Sequence, residues 1–196
     1  MAFLDRNYWT ERYNSSRIGW DIGFASPPLV QYLDQIENKE IQALIPGAGS
    51  GYEAVYAWQS GFCNLHVLDF SEEPLLRFKV RDASFPVEQI HHQNFFDHCG
   101  SYDLILEQTF FCALDPALRE DYAVKMKELL KPGGKIVGVW FDGEFDFDGP
   151  PFGGRVEEYV LLFEKYFEIK TCESCYNSIA ERSGSEVFMM MENSKV

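Results

Sequence analysis

From position 41 onward, short apolar runs alternate with amphipathic stretches. The runs at 41–46, 64–69, 102–107 and 135–141 have the length and apolar content of buried strands, and a weaker one covers 87–92. Between them, 51–60, 71–83 and 116–130 repeat apolar residues at helical spacing. Ala54, Val55 and Trp58 share a face of the first, and Leu118, Tyr122, Met126, Leu129 and Leu130 a face of the last. Ser71 reads as an N-cap, with Glu72 and Glu73 in the positive first turn, and Lys131-Pro132-Gly133-Gly134 stops the last helix. Asn94-Phe95-Phe96-Asp97 reads as a loop. Strand and helix in regular turn predict a mostly parallel sheet with right-handed crossovers.

The pattern changes at both ends. Positions 3–17 read as a helix carrying Tyr8, Trp9 and Tyr13, with Trp9 and Tyr13 four apart on one face. A loop, Gly19-Trp20-Asp21-Ile22-Gly23, follows it. Ser26 then caps a helix that has Pro27 and Pro28 in its first turn and runs to about 36. The segment 1–36 thus reads either as an aromatic lid over a site or as a helix packing its aromatic side onto the core. After 141 comes an acid-, aromatic- and glycine-rich loop, then a helix marked by Val156, Tyr159, Val160, Phe163 and Phe167. Runs at 166–173 and 186–192, joined by a polar stretch at 177–185, suit an antiparallel hairpin. The expectation is one domain over 1–196, with 1–36 as its N-terminal segment and 37–196 as its core.

Composition narrows the partners. The net charge of −14 argues against a nucleic-acid substrate, which needs a basic surface, and leaves a small molecule as the expected ligand. No run of about 18 apolar residues offers a membrane span, and positions 1–6 lack a signal-peptide pattern, so a cytoplasmic location is the expectation. The 5 cysteines are too scattered for a disulfide framework, and the lone Cys172-Glu173-Ser174-Cys175 has no second pair or histidine cluster to make a metal site. No metal is expected.

The candidate chemistry lies in Pro46-Gly47-Ala48-Gly49-Ser50-Gly51-Tyr52, between a strand and a helix, and in Asp69 at the end of the next strand. Glycines let the backbone approach a ligand, and the acid can accept hydrogen bonds from ribose hydroxyls. A dinucleotide fingerprint, G-x-G-x-x-G, would put its third glycine at 52, where Tyr52 stands. The G-x-G-x-G spacing found here is that of S-adenosylmethionine (SAM)-dependent methyltransferases, and Leu129-Leu130-Lys131-Pro132-Gly133-Gly134 before a strand resembles a stretch common in that class.

The resemblance extends along nearly the whole chain. Trp9, Tyr13 and Gly19-Trp20-Asp21-Ile22-Gly23, then Leu44 to Tyr52, Leu68-Asp69-Phe70-Ser71, Tyr102-Asp103-Leu104-Ile105 with Phe110-Phe111-Cys112-Ala113, and Gly149-Pro150-Pro151-Phe152 occur in order. Together they resemble the thiopurine S-methyltransferase family, and in particular its halide/thiol methyltransferase branch. The resemblance implies a three-layer Rossmann-like α/β fold: a seven-stranded, mostly parallel sheet closed by a C-terminal antiparallel hairpin. It implies SAM as cofactor, leaving as S-adenosylhomocysteine (SAH). It places Trp9, Tyr13 and Trp20 around the cofactor, Gly47 and Gly49 along its methionine part, Asp69 on the ribose, and Phe70, Asn94 and Phe95 near the adenine. Gln108 falls at the transferred methyl, where the halide branch tends to have tyrosine and the thiopurine branch arginine. Arg119, Pro151 and Phe152 fall on the substrate side, with a surface helix charge as the other reading of Arg119.

Methyl transfer from a sulfonium asks the protein mainly to orient the reactants and exclude water. A soft acceptor such as a thiol, a halide or a thiopurine-like sulfur needs little general-base help, and no catalytic residue is assigned. His91, His92 and His98 read as ordinary polar positions, and Cys112 as a pocket wall. The competing readings are an NAD-dependent oxidoreductase and a non-catalytic SAM-binding protein. A monomer is the expected state.

Overall fold

The computed structural model describes residues 4–194. Two helices, α1 (Arg6–Asn14) and α2 (Pro27–Asp34), precede the alternating part. This runs β1 (Ala43–Pro46), α3 (Tyr52–Gln59), β2 (Leu65–Asp69), α4 (Glu72–Arg81), β3 (Ile90–His92), β4 (Tyr102–Gln108), α5 (Arg119–Leu129) and β5 (Leu130–Phe141). Then come α6 (Val156–Phe163), β6 (Glu168–Ser174) and β7 (Glu186–Glu192). The seven strands form one sheet in the order β3-β2-β1-β4-β5-β7-β6, parallel except for β7, which runs antiparallel to both neighbours.

Side chains alternate across the central strands, so the sheet carries a core on each face. Leu44, Ile105, Ile136 and Trp140 join Tyr122, Met126, Tyr159 and Phe163 beneath α5 and α6. Ala43, Ile45, Leu104, Leu106 and Val137 join Leu29, Leu33, Ala54, Ala57, Leu75 and Phe78 beneath α2, α3 and α4. The result is the three-layer arrangement expected from the sequence.

Several local expectations change. α1 stops at Asn14, because Ser16 takes a left-handed backbone (φ 54°) that no helix continues through. In α3 the buried face is Ala54 and Ala57, with Val55 and Trp58 only half-buried. The stretch 87–92 is a 3-10 turn (Val87–Gln89) before the short β3, and Asn94 caps another 3-10 turn (Phe95–Asp97) rather than lying in an open loop. A third (Pro116–Leu118) leads into α5. Lys131 to Gly134 belong to an irregular start of β5, where the register against β4 shifts. Ser26 and Ser71 hold the N-cap positions, but neither hydroxyl caps its helix. The Ser71 hydroxyl meets Thr10 Oγ1 at 2.9 Å instead.

Candidate active site

The strand order reverses direction between β1 and β4, and a ligand crevice is expected at the carboxyl ends of the strands there. A cavity of about 1090 Å³ opens at this place. Its wall takes residues from the end of every strand from β1 to β5: the glycine turn, Asp69 and Phe70, Asn94 and Phe95, Gln108 to Phe110, and Phe141.

The glycine turn is shaped for close approach. Gly47, Gly49 and Gly51 all have left-handed backbones (φ 59°, 53° and 71°), which side chains disfavour. A Cβ on Gly47 would overlap the Phe110 ring, and one on Gly51 the Phe78 ring. Asp69 holds the turn: Oδ2 accepts from Gly49 N–H at 2.9 Å and Oδ1 from Ser71 N–H at 2.9 Å. Asp69 also lines the cavity. Burial pushes the Asp69 carboxyl up to about 6, against the pull of those backbone bonds.

The N-terminal segment closes one side. Trp20 sits edge-on to both Trp9 (5.5 Å between centroids) and Tyr13 (5.7 Å), and all three line the cavity. The segment is tied to the core at several points. Arg77 donates to the Tyr13 carbonyl at 2.8 Å, Arg182 to the Trp20 carbonyl at 2.9 Å, Ser26 N–H to Glu53 Oε1 at 2.9 Å, and Ser50 Oγ to Asp21. Burial raises Glu53 above the usual carboxylate range. Burial also raises the Tyr13 phenol, with Asp69 adding to the shift, so Tyr13 stays neutral.

The rest of the wall is rich in apolar and aromatic side chains, Leu114, Leu118, Phe141, Phe145, Phe147, Pro150 and Pro151, with Gln108, Cys112 and the charged Asp115, Asp148 and Arg182 among them. The Phe145 and Phe147 rings stack at 5.2 Å. Gln108 Oε1 is buried with no protein partner. Burial, and then Glu107, pushes the Cys112 thiol up, which keeps it protonated and makes it a wall rather than a nucleophile.

Most residues singled out from the sequence meet here: Trp9, Tyr13, Trp20, Gly47, Gly49, Asp69, Phe70, Asn94, Phe95, Gln108 and Pro151 all line the cavity. Arg119 and Phe152 do not. Arg119 Nη2 donates to the Gly153 carbonyl at 2.7 Å, and its guanidinium lies over Phe111 and Tyr159 (5.0 and 5.7 Å), so it braces the loop from behind. Phe152 N–H donates to the Cys112 carbonyl at 2.7 Å. No histidine is among the lining residues. His66, His91 and His98 gather instead around Tyr102, where burial lowers all of them below the usual imidazole value, His98 to about 4. All cysteines are free, and no metal-binding cluster occurs among the described residues. The ties through Arg77, Arg182, Asp21 and Glu53 were not foreseen. Glu107, an acid inside an apolar strand, was the one visible hint of a buried polar network.

A family model for thiopurine S-methyltransferase matches residues 4–195. The chain belongs to the thiopurine S-methyltransferase family. It is therefore a SAM-dependent methyltransferase, and the NAD-dependent oxidoreductase reading falls away. Among its relatives, "Probable thiol methyltransferase 2" of Arabidopsis thaliana is 30% identical over 184 residues, 91% of this chain and 81% of that protein. "Thiocyanate methyltransferase 1" of Brassica oleracea is 30% identical over 189 residues, 93% and 83%. The crystal structure of Burkholderia thailandensis 1,6-didemethyltoxoflavin-N1-methyltransferase, with bound 1,6-didemethyltoxoflavin and S-adenosylhomocysteine, superposes with a TM-score of 0.78 at 17% identity. It covers 97% of this chain and 87% of that one, a likeness of fold.

The residues present fit SAM. Gly47, Gly49 and Gly51 put bare backbone on the cavity wall, the Asp69 carboxyl stands beside them as an acceptor, and the Trp9, Tyr13 and Trp20 rings suit a sulfonium cation. When bound, SAM supplies an activated methyl group. The protein's part is to hold the cofactor, line up the acceptor and keep water out.

Proposed function

We propose that this enzyme moves the methyl group of SAM to a small soft nucleophile: a thiol, a halide or a thiopurine-like sulfur. The observation that carries the reading is that one cavity joins the glycine turn and Asp69 to a cluster of apolar and aromatic lining residues, Leu114, Cys112, Phe145 and Phe147, where we place the acceptor. Such a wall desolvates a thiolate or halide, which strengthens it as a nucleophile. The relatives named for thiol and thiocyanate acceptors support the same class.

In this reading Gly47 and Gly49 lie along the methionine part, Asp69 accepts from the ribose hydroxyls, and Phe70, Asn94 and Phe95 flank the adenine. Trp9, Tyr13 and Trp20 cover the sulfonium side, Gln108 faces the transferred methyl, and Pro151 borders the acceptor. Arg119 and Phe152 act by shaping the loop that carries Pro151. The described part of the N-terminal segment, 4–36, serves as the lid of a single domain. No helix among the described residues is long and apolar enough to cross a membrane. We place the enzyme in the cytoplasm as a monomer that does not engage nucleic acid, a reading supported by its acidic charge and unpaired cysteines.

Labelled SAM offered with thiols, iodide, thiocyanate and thiopurines tests the proposal. The expected result is label transfer to at least one of them. Binding of SAH without turnover on any member would favour a non-catalytic SAM-binding protein, and transfer only to a macromolecule would overturn the acceptor class.

A further inference from the structure

The acceptor end hangs on a turn that the chain makes as it leaves β4. Thr109 there has φ 57°, a left-handed backbone that is unfavourable for a β-branched residue. After Phe110, residues Phe111–Ala113 form a 3-10 turn, closed by Ala113 N–H on the Phe110 carbonyl. Gln108, Thr109, Phe110, Cys112 and Ala113 all present atoms to the cavity.

Glu107, two residues before Thr109 in β4, points the other way and is 1% exposed. Its Oε1 accepts from the Phe110 N–H at 2.8 Å and the Phe111 N–H at 3.0 Å, and its Oε2 accepts from the Tyr122 hydroxyl at 2.7 Å. Gly138 faces it across β5, where a Cβ would overlap the Glu107 backbone and Cβ, so the strand is locally bare to admit it. An aliphatic side chain would fill this place without the cost of desolvating a carboxylate. What the carboxylate adds is a pair of bonds to the backbone of the turn, anchored from below by Tyr122 of α5.

We propose that Glu107 is a positioning residue for methyl transfer: it clamps the turn at 109–113 and so sets where Gln108 and Cys112 stand at the acceptor end. The inference rests on the proposed function and goes beyond it, because Glu107 itself touches neither cofactor nor acceptor. Two of the clamp's bonds go to the strained stretch itself. Through Phe110, packed against Gly47, and through the Cys112 carbonyl, bonded to Phe152 N–H, the same clamp sets the distance between the glycine turn and the loop around Pro151.

Glu107→Gln and Tyr122→Phe test it. Both keep side-chain volume, and Gln can still accept through one oxygen but not from Tyr122. The measurements are SAH affinity by calorimetry, kcat and KM for the acceptor, and hydrogen exchange at the Phe110 and Phe111 amides. We expect those amides to exchange faster and acceptor kcat/KM to fall by roughly 100-fold in Glu107→Ala if the turn moves by about 1 Å, with the loss mainly in kcat, whereas Glu107→Gln, whose remaining oxygen can keep both turn amides, should lose less and only through the Tyr122 bond. SAH affinity should stay within about threefold. Glu107→Ala should be worse than Glu107→Gln in every acceptor readout. In Glu107→Ala, unchanged exchange, unchanged kcat/KM, or a parallel loss of SAH affinity and turnover in a protein that still folds would each overturn the inference. Failure of the proposed function is separate, since it shows in the wild type as no turnover of any small acceptor; the exchange comparison then decides on the clamp by itself.

Discussion

At the scale of single residues, Asp69 does more than the terminal acid of a strand is expected to do. Its two oxygens organise the glycine turn and the start of α4 before any ligand arrives. Burial raises its carboxyl to about 6, so the free protein loses the anionic acceptor as the pH falls through that value. A ligand whose hydroxyls donate to Asp69 favours the ionised form. SAH affinity should therefore be flat above about pH 7 and weaken below about pH 6, by up to about tenfold per pH unit, the limit for one linked proton. Calorimetry across pH 5 to 8 checks this, and Asp69→Asn should bind more weakly at pH 8 while losing most of the pH dependence. A wild-type affinity that stays constant down to pH 5 would remove Asp69 from the ligand contact. The same shift bears on folding. A carboxyl raised in the folded state stabilises most below its unfolded value and least once the pH has risen through about 6.

At the scale of elements, α1 is held to the core by side chains rather than by its own amphipathic face. Only Tyr13 of that helix is buried. Arg77 of α4 is the main tie: it donates to the Tyr13 carbonyl, lies over the Tyr13 ring at 5.6 Å and pairs with Glu73 at 3.1 Å. The Glu73 pair is about one-third exposed, so most of its Coulomb energy is lost to solvent, and the bond to the carbonyl carries the effect. Arg77→Ala should weaken SAH binding by about 1 kcal/mol, the scale of one such hydrogen bond, and should speed proteolytic cleavage ahead of Pro27. If neither changes, the segment's other ties, among them Arg182 to Trp20 and Glu53 to Ser26, hold it without Arg77. The loop between β5 and α6 uses the same device, with the Arg119 guanidinium on the Gly153 carbonyl.

At the scale of the whole molecule, the net charge of −14 sets a background repulsion in the compact state. Raising the ionic strength from about 0.01 M to about 0.15 M shortens the Debye length from about 30 Å to about 8 Å. The melting temperature of the ligand-free protein should rise over that range, as scanning calorimetry can record; a fall would mean that the surface ion pairs outweigh the repulsion. The topology then explains why one cavity suffices. All strands from β1 to β5 run parallel, so their carboxyl ends meet on one edge, and the reversal of strand order opens a crevice between β1 and β4.

The layered α/β architecture, the glycine turn that excludes a dinucleotide fingerprint, and the acid at the end of β2 are all legible along the chain. These are local patterns: strand and helix periodicity, glycine spacing, and a charge at a strand terminus. Its family resemblance, spread along nearly the whole chain, was legible for the same reason, and most of the residues it pointed to line one cavity. Only the tertiary structure decided where Arg119 and Glu107 point, and that the Ser71 hydroxyl bonds Thr10, a residue 61 positions away, rather than its own helix. Each of those outcomes depends on partners brought together by packing. A side chain's direction follows from which distant donors and acceptors the fold leaves within reach, and spacing along the chain does not encode that.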